Sequence, residues 1–272
     1  NEFADAYHDR FFDVGIAEQH AVSMAAGMAK QGLVPVVAIY SSFLQRAYDM
    51  LIHDVSLLNL HVVFCVDRAG LVGSDGETHH GVFDVDYLCS VPGMQVLCPS
   101  SFAELEQMLD TAINEMDGPV AIRYPRGSEG AYKAISTGGT EVLRHGSDIT
   151  LAAYGTMINQ MLELSEMIEN DGISAEVIKI SQIKPLCTDE IVASLGKTKK
   201  LLTAEDVCEH GCIGEALLSA AEEAGICLDG ASICTLGDGI VTHGTVTELY
   251  KDCGLDTEAL YKKAVTLVRG AK

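Results

Sequence analysis

Glu18 is the first residue whose type and position could support chemistry. It lies in the first turn of a predicted helix, residues 17–30, in the segment DVGIAEQHAVSMAAGMAKQG. This helix is rich in Ala, Gly and Ser and apolar on nearly every side, which is typical of a buried helix. A buried carboxyl group needs a partner or takes up a proton, and a glutamic acid that donates a proton to a ring nitrogen can act in catalysis. The alternative is that the helix dipole alone favours a carboxylate there.

A second group of candidates follows a predicted strand that ends at Tyr40. An aromatic and a hydroxyl group at the carboxyl end of a parallel strand lie where α/β sheets bind ligands. Tyr40 and Phe43 could equally be ordinary core aromatics. Arg46 is harder to explain by packing, because it falls one turn after Phe43 on the same helix face.

The third candidate is a glycine-rich segment, DRAGLVGSDGETHHGVFDVDYL, which follows another predicted strand. It contains four glycines from Gly70 to Gly81, two adjacent histidines, an arginine and several acids. Glycine-rich loops at a strand end are usually functional, although a solvated surface loop would have a similar composition. Arg126, in the sequence RYPRG, follows a further predicted strand, and arginine is well suited to bidentate phosphate binding.

Short apolar runs alternate with longer helical patterns along the chain, and both types of element are needed to position these candidates. The apolar runs are typical of parallel strands covered on both faces, and the alternation predicts two α/β domains, each a mainly parallel sheet flanked by helices. We place the domains at 1–130 and 145–272, with the Gly- and Ser-rich residues 131–144 as a linker. The predicted strands are 34–40, 61–66, 95–98, 120–123, 148–154, 174–178, 200–204 and 231–235. The predicted helices are 17–30, 43–58, 102–115, 156–170 and 211–224.

Composition limits the classes of function. The formal charge is −21, from 39 acidic and 18 basic residues, so nucleic acid and anionic membranes are not expected partners. The nine cysteines show no CxxC spacing, which is typical of a reduced, cytoplasmic protein. No apolar stretch is long enough to suggest a membrane span.

Three short motifs resemble known sites but lack a required part. The GKT at residues 196–198 has Ile191 where a phosphate-binding loop needs glycine. The alternating ligands of the VCEHGC segment, Cys208, His210 and Cys212, lack a second cluster apart from the distant His243. The GDG at residues 237–239 has no asparagine after it, although a diphosphate-metal motif needs one. We therefore predict no metal ligand in this chain.

Together the candidate segments resemble the 1-deoxy-D-xylulose-5-phosphate synthases, which are thiamine-diphosphate-dependent enzymes of the transketolase type. The resemblance covers nearly the whole chain and is densest in the first domain. It rests on the motifs IAEQHAV, YSSFLQRAYD, DRAGLVGSDGETHHG, CPSS, RYPRG and IKPL, in the order that this family shows.

The resemblance implies a role for each candidate residue. Glu18 is implied to hydrogen-bond the aminopyrimidine ring of thiamine diphosphate, and Phe43 to pack on that ring. The remaining implied roles concern the substrates, pyruvate and glyceraldehyde 3-phosphate. Tyr40, Arg68 and Arg126 would bind the acceptor phosphate, Arg46 would help to hold substrate anions, Asp75 would face the sugar, and His79 would transfer a proton. His20 has either a catalytic or a packing role.

The family's diphosphate-binding domain, with its magnesium motif, is expected upstream of this sequence. We therefore expect a fragment of a longer protein that binds cofactor weakly and is inactive alone. The second domain is expected to serve packing and homodimer formation. Two alternatives stay open: another thiamine-dependent protein, such as a split transketolase half or a 2-oxoacid dehydrogenase beta subunit, and a non-catalytic α/β dimerisation module.

Overall fold

Two five-stranded sheets organise the part of the chain that the structure describes, residues 2–136 and 138–270 of a computed structural model. The first sheet has the order β1-β2-β4-β3-β8 and the second the order β10-β9-β6-β7-β5. The strands are β1 (Val36–Tyr40), β2 (Val63–Asp67), β3 (Gln95–Leu97), β4 (Val120–Arg123), β5 (Thr140–Arg144), β6 (Ile149–Tyr154), β7 (Ala175–Ile180), β8 (Gln182–Lys184), β9 (Lys200–Ala204) and β10 (Gly230–Cys234). The predicted fold class is thereby confirmed.

Helices cover both faces of these sheets, as the continuous burial of the central strands requires. The described residues form the α-helices α1 (Glu2–Ala6), α2 (Glu18–Lys30), α3 (Ser41–Leu44), α4 (Tyr48–Met50), α5 (Asp84–Ser90), α6 (Phe102–Asn114), α7 (Ile158–Glu169), α8 (Asp189–Thr198), α9 (Ile213–Glu223), α10 (Val246–Asp252) and α11 (Thr257–Arg269). Of these, α1 buries no side chain. No helix among residues 2–136 and 138–270 is both long and apolar enough to span a membrane.

The predicted helix 43–58 is divided into short pieces. After α3, the chain passes through a 3₁₀ turn, α4, a π-helical segment at Leu51–Val55 and a second 3₁₀ turn. Ala47, Leu51 and Val55 are all fully buried. Their spacing of four residues would drift away from the core on a helix with 3.6 residues per turn. The wider π-helical turn offsets this drift, and such turns are frequent near functional sites.

Two strands lie where the sequence analysis placed none. β5 occupies the end of the predicted linker 131–144 and pairs antiparallel with β7 at the sheet edge. β8, which contains part of the IKPL motif, pairs antiparallel with β3 and so completes the first sheet from beyond the predicted boundary. Both are edge strands whose side chains are mostly only half-buried, so they carry little continuous apolar pattern. The division into domains 1–130 and 145–272 stays a prediction.

Buried charges join the two sheets. Lys179, on β7, donates to Glu104, on α6, with 2.6 Å between Nζ and Oε1, and both side chains are at most 1% exposed. The Glu104 carboxylate also accepts hydrogen bonds from the backbone N–H groups of Ser100 and Ser136. Burial lowers the pKa of Lys179, and the attraction of Glu104 opposes that shift.

Removing one member of this pair should destabilise the protein strongly. Lys179→Met leaves the Glu104 carboxylate buried without its cation, which should lower the free energy of unfolding by about 3–5 kcal/mol. The exposed pair Lys262–Glu258 provides the control, since Lys262→Met should cost less than about 1 kcal/mol. Denaturant unfolding measures both, and equal losses in the two variants would contradict the expectation.

Candidate active site

The candidate site lies at the carboxyl edge of the first sheet. β1, β2 and β4 run parallel, and Tyr40 pairs with Asp67 while Val66 pairs with Arg123. The three strands therefore end side by side. Seven of the eight predicted site residues lie here: Tyr40 ends β1, and the segments that follow the strands carry Phe43, Arg46, Arg68, Asp75, His79 and Arg126. This is the edge at which open α/β sheets bind ligands.

Glu18 reaches this edge from the start of α2. It is only 7% exposed, and α2 begins at this residue, so the helix dipole favours its carboxylate. Its Oε1 atom accepts a hydrogen bond from Arg46 Nη1 at 2.8 Å. A charge-assisted bond of this kind fixes the direction of the carboxyl group. The predicted buried acid therefore has a specific partner from the segment that follows β1.

Aromatic rings form the middle of the site. The rings of Tyr40 and Phe43 are stacked, with centroids 5.5 Å apart and planes 21° apart. The His79 ring meets Phe43 edge-on at 5.1 Å. Arg46 lies over the Phe43 ring at 5.3 Å, and Arg68 lies over the Tyr40 ring at 3.8 Å. These cation–π contacts connect the Glu18 side of the site to the arginines on its other side.

Asp75 lies between two arginines at the far side of the site. Its Oδ1 accepts from Arg126 Nη1 at 2.6 Å, and its Oδ2 lies 3.5 Å from Arg68 Nε. The hydrogen bond from Arg126, with the charges of both arginines, lowers the pKa of Asp75 below its ordinary value. Arg68 also donates to Asp67 at 2.6 Å. Two cations thus converge on one cleft, and carboxylates balance them.

The positions of His79 and His20 differ. His79 Nδ1 lies 2.9 Å from the Thr78 hydroxyl, and its ring belongs to the aromatic group described above. His20 is exposed on α2. Residues two apart on a helix do not face the same side, so His20 points away from the direction of Glu18. Within residues 2–136 and 138–270, no described contact joins His20 to the site.

Three buried residues near this edge, Arg123, Asp84 and Asp206, were not among the predicted site residues. Arg123 is 4% exposed and donates from Nε to both Asp84 oxygens at 2.9 Å and from Nη2 to Asp206 at 3.2 Å. Burial would lower the pKa of Arg123, but the two carboxylates raise it above its ordinary value. The sequence signal was present, because RYPRG contains two arginines, but only the fold shows which one is exposed to the cleft.

Two of the motifs set aside in the sequence analysis lie outside the candidate site. Cys208 and Cys212 lie in the turn before α9, and the GDG triplet lies in the loop between β10 and α10. Among the residues that the structure describes, no group of three or more His, Cys, Asp or Glu side chains could hold a metal ion.

Comparison with known proteins agrees with this architecture. Residues 1–130 match the pyrimidine-binding domain of transketolase, and residues 138–260 match the transketolase C-terminal domain. The chain is 46% identical to the 1-deoxy-D-xylulose-5-phosphate synthase of Chlorobium phaeovibrioides and 44% identical to that of Gloeobacter violaceus. Each match covers 96% of this chain and 42% of the relative, so the chain spans less than half the length of these relatives.

Solved structures of transketolases are also similar to this chain. A chain described as a split-gene transketolase in an inactive beta4 tetramer superposes with a TM-score of 0.86 at 28% identity, over 99% of this chain and 88% of that one. Campylobacter jejuni transketolase gives a TM-score of 0.77 at 17% identity, over 94% of this chain and 39% of that one, which supports the fold alone. The chain therefore belongs to the transketolase family and combines its pyrimidine-binding domain with its C-terminal domain.

Proposed function

We propose that this chain supplies the pyrimidine-binding side of the active site of a 1-deoxy-D-xylulose-5-phosphate synthase. The complete enzyme would condense pyruvate with glyceraldehyde 3-phosphate and release carbon dioxide. The observation that carries this proposal is the continuous group from Glu18 through Arg46 and Phe43 to Asp75 and Arg126. The names of the relatives described above support the choice of reaction.

The Glu18 side of the site fits an aminopyrimidine. Such a ring presents a polar edge and a flat face. The site offers the buried Glu18 carboxyl group and the half-buried Phe43 ring, both of which contact Arg46. We propose that Glu18 hydrogen-bonds the ring nitrogen, that Arg46 holds the carboxyl group in place, and that Phe43 packs on the ring face. When bound, thiamine diphosphate supplies the electron sink that decarboxylation of a 2-oxo acid needs.

We propose that the diphosphate and its magnesium ion are held by a diphosphate-binding domain that is not among the described residues. The family relatives are more than twice as long as the matched region, since it covers 42% of each. The complete cofactor site would then combine that domain with Glu18 and Phe43 of this chain. We propose a cytoplasmic enzyme that is inactive until its parts assemble.

The other side of the site fits the acceptor substrate. Arg126 is about half exposed, with 48% of its side chain accessible, and Arg68 is less exposed. A phosphate dianion would compete with Asp75 for these two cations, and arginine favours such bidentate contacts. We propose that Tyr40, Arg68 and Arg126 bind the phosphate, that Asp75 faces the sugar, and that His79 moves a proton.

A split transketolase half is the second candidate function. Its support is the superposition of this chain on the split-gene transketolase chain, with a TM-score of 0.86. A 2-oxoacid dehydrogenase beta subunit would instead have no need for a phosphate site at Arg68 and Arg126. The synthase and the dehydrogenase beta subunit therefore differ in the acceptor that they use.

Glu18→Ala should abolish most of the turnover. Loss of a proton-transferring group should lower the rate at least about 100-fold. The chain is mixed with a separately expressed diphosphate-binding half, magnesium, thiamine diphosphate and both substrates, and carbon dioxide release is measured. Glu106→Ala, which removes an exposed carboxylate on α6, is the control. Normal turnover in Glu18→Ala would show that the mechanism is wrong.

Arg126→Ala should weaken recognition of the phosphorylated acceptor. Loss of one charge-assisted bond should raise the KM for glyceraldehyde 3-phosphate about tenfold or more, with little change for unphosphorylated glyceraldehyde. Arg269→Ala, at the end of α11, is the matched control. Equal effects on the two aldehydes would argue against a phosphate site and would favour a 2-oxoacid dehydrogenase beta subunit.

We also propose that two copies of the chain associate through the segment before α2. Phe12 and Ile16 are 57% and 91% exposed, and a run of exposed apolar side chains is typical of an interface. The variant Ile16→Glu should reduce dimer formation in light scattering. The matched variant Leu57→Glu, at another exposed position, should not. Raising the salt concentration should strengthen association, because it screens the charge of −21 on each copy.

A further inference from the structure

The loop that carries Asp75 and His79 lies against a segment of the C-terminal region. We define the site loop as residues 67–81 and the clamp segment as residues 236–246, between β10 and the start of α10. We propose that the clamp segment holds the site loop in its working position through His80, which acts as a positioning residue. This inference rests on the proposed function and adds a role for the second domain beyond packing.

His80 connects the two segments directly. It is 5% exposed. Its Nδ1 atom accepts the backbone N–H of Val72 at 3.2 Å, within the site loop. That bond places the ring hydrogen on Nε2, which then donates to the backbone carbonyl of Thr242 at 3.3 Å. A single buried ring therefore fixes the site loop internally and also attaches it to the clamp segment.

Two glycines of the site loop lie close to the clamp segment. A methyl group at Gly73 would lie 3.2 Å from both the Gly244 carbonyl oxygen and the Val246 side chain. At Gly76 it would lie 3.6 Å from the His243 ring. Both glycines also have positive φ, at +64° and +81°. The loop thus follows the surface of the clamp segment closely on both sides of Asp75.

The base of the site loop is also attached to the C-terminal region. Gly70 and Gly81 exchange two backbone hydrogen bonds of 2.8 Å, which close the loop. A methyl group at Gly70 would overlap the Asp206 carboxylate, at 1.8 Å from its Oδ2. Just beyond the loop, the Cys208 N–H donates to the Val82 carbonyl at 2.9 Å. The C-terminal region therefore meets the loop at its base and along its length.

This arrangement determines where the reacting groups lie. His79 is next to His80 in sequence, and its ring contacts Phe43 at 5.1 Å. Asp75 lies between Gly73 and Gly76, both in contact with the clamp segment. If the clamp contacts were lost, the loop could still form its internal bonds, but Asp75 and His79 would no longer be held against Phe43 and the two arginines. Small displacements of such groups are costly to a rate.

Two substitutions separate the two bonds of His80. The amide of His80→Asn reaches only the position of Nδ1, so it keeps the bond to Val72 and loses the bond to Thr242. The longer amide of His80→Gln reaches the position of Nε2 and can keep the bond to Thr242. Val246→Ala tests a second contact between the two segments, at Gly73, from the clamp side and without changing the loop. The readouts are hydrogen–deuterium exchange of peptides covering the site loop in the chain alone, and kcat in the mixture with the diphosphate-binding half.

We expect exchange in the site loop to rise about fivefold to tenfold in His80→Asn. In His80→Gln it should stay near the unsubstituted level except at the Val72 amide, which loses its acceptor. Val246→Ala should raise exchange in the same peptides. The kcat should fall with the loss of protection, and His80→Gln should recover most of it. Equal exchange in all proteins would overturn the anchoring, and a loosened loop with unchanged kcat would overturn its link to the reaction. If the unsubstituted mixture does not turn over, the proposed function fails, whereas the exchange data still decide the anchoring.

Discussion

Parallel pairing of β1, β2 and β4 brings the chain out of the sheet three times at the same edge. Tyr40 and Asp67 are paired residues, and Arg123 is paired with the last buried residue of β2. Each strand leaves the sheet with a polar or aromatic residue, so a cleft lined with charge and aromatic rings forms without any long-range adjustment. Every other part of the site depends on this register, because a shift by one residue would move each side chain to the opposite face of the sheet.

Pairs between arginines and carboxylates then connect the cleft to the rest of the protein. The cleft arginines Arg68 and Arg126 both lie beside Asp75, whereas the buried Arg123 binds Asp84 and Asp206 behind them. Partners of this kind are needed, because an unpaired buried cation is very costly. The exposed arginine can exchange its carboxylate for a ligand anion, whereas the buried one cannot. The two arginines of RYPRG therefore have different physical roles.

The C-terminal region contributes more to the site than its distance along the chain suggests. Asp206 supplies one carboxylate of the buried cluster and also fills the space beside Gly70. β8 completes the first sheet, and Lys179 pairs with Glu104 across the junction. Since these contacts are buried and polar, they specify one relative arrangement of the two sheets more narrowly than apolar packing alone would. The cleft is thus built on a framework to which both halves contribute.

The sequence by itself determined the fold class, eight strands close to their observed positions and the residues that gather at the site. It did so because buried parallel strands carry a continuous apolar signal and because reactive residues at strand ends share one edge. It missed β5 and β8, whose short edge positions leave little pattern, and it read residues 43–58 as one helix because periodicity does not reveal a π-helical turn. Only the tertiary structure decided that Arg46 binds Glu18, that Arg123 is buried while Arg126 is exposed, and that His80 rather than His20 lies in the interior. Each of these depends on contacts between residues far apart in the chain, and residue type and local spacing carry no information about such contacts.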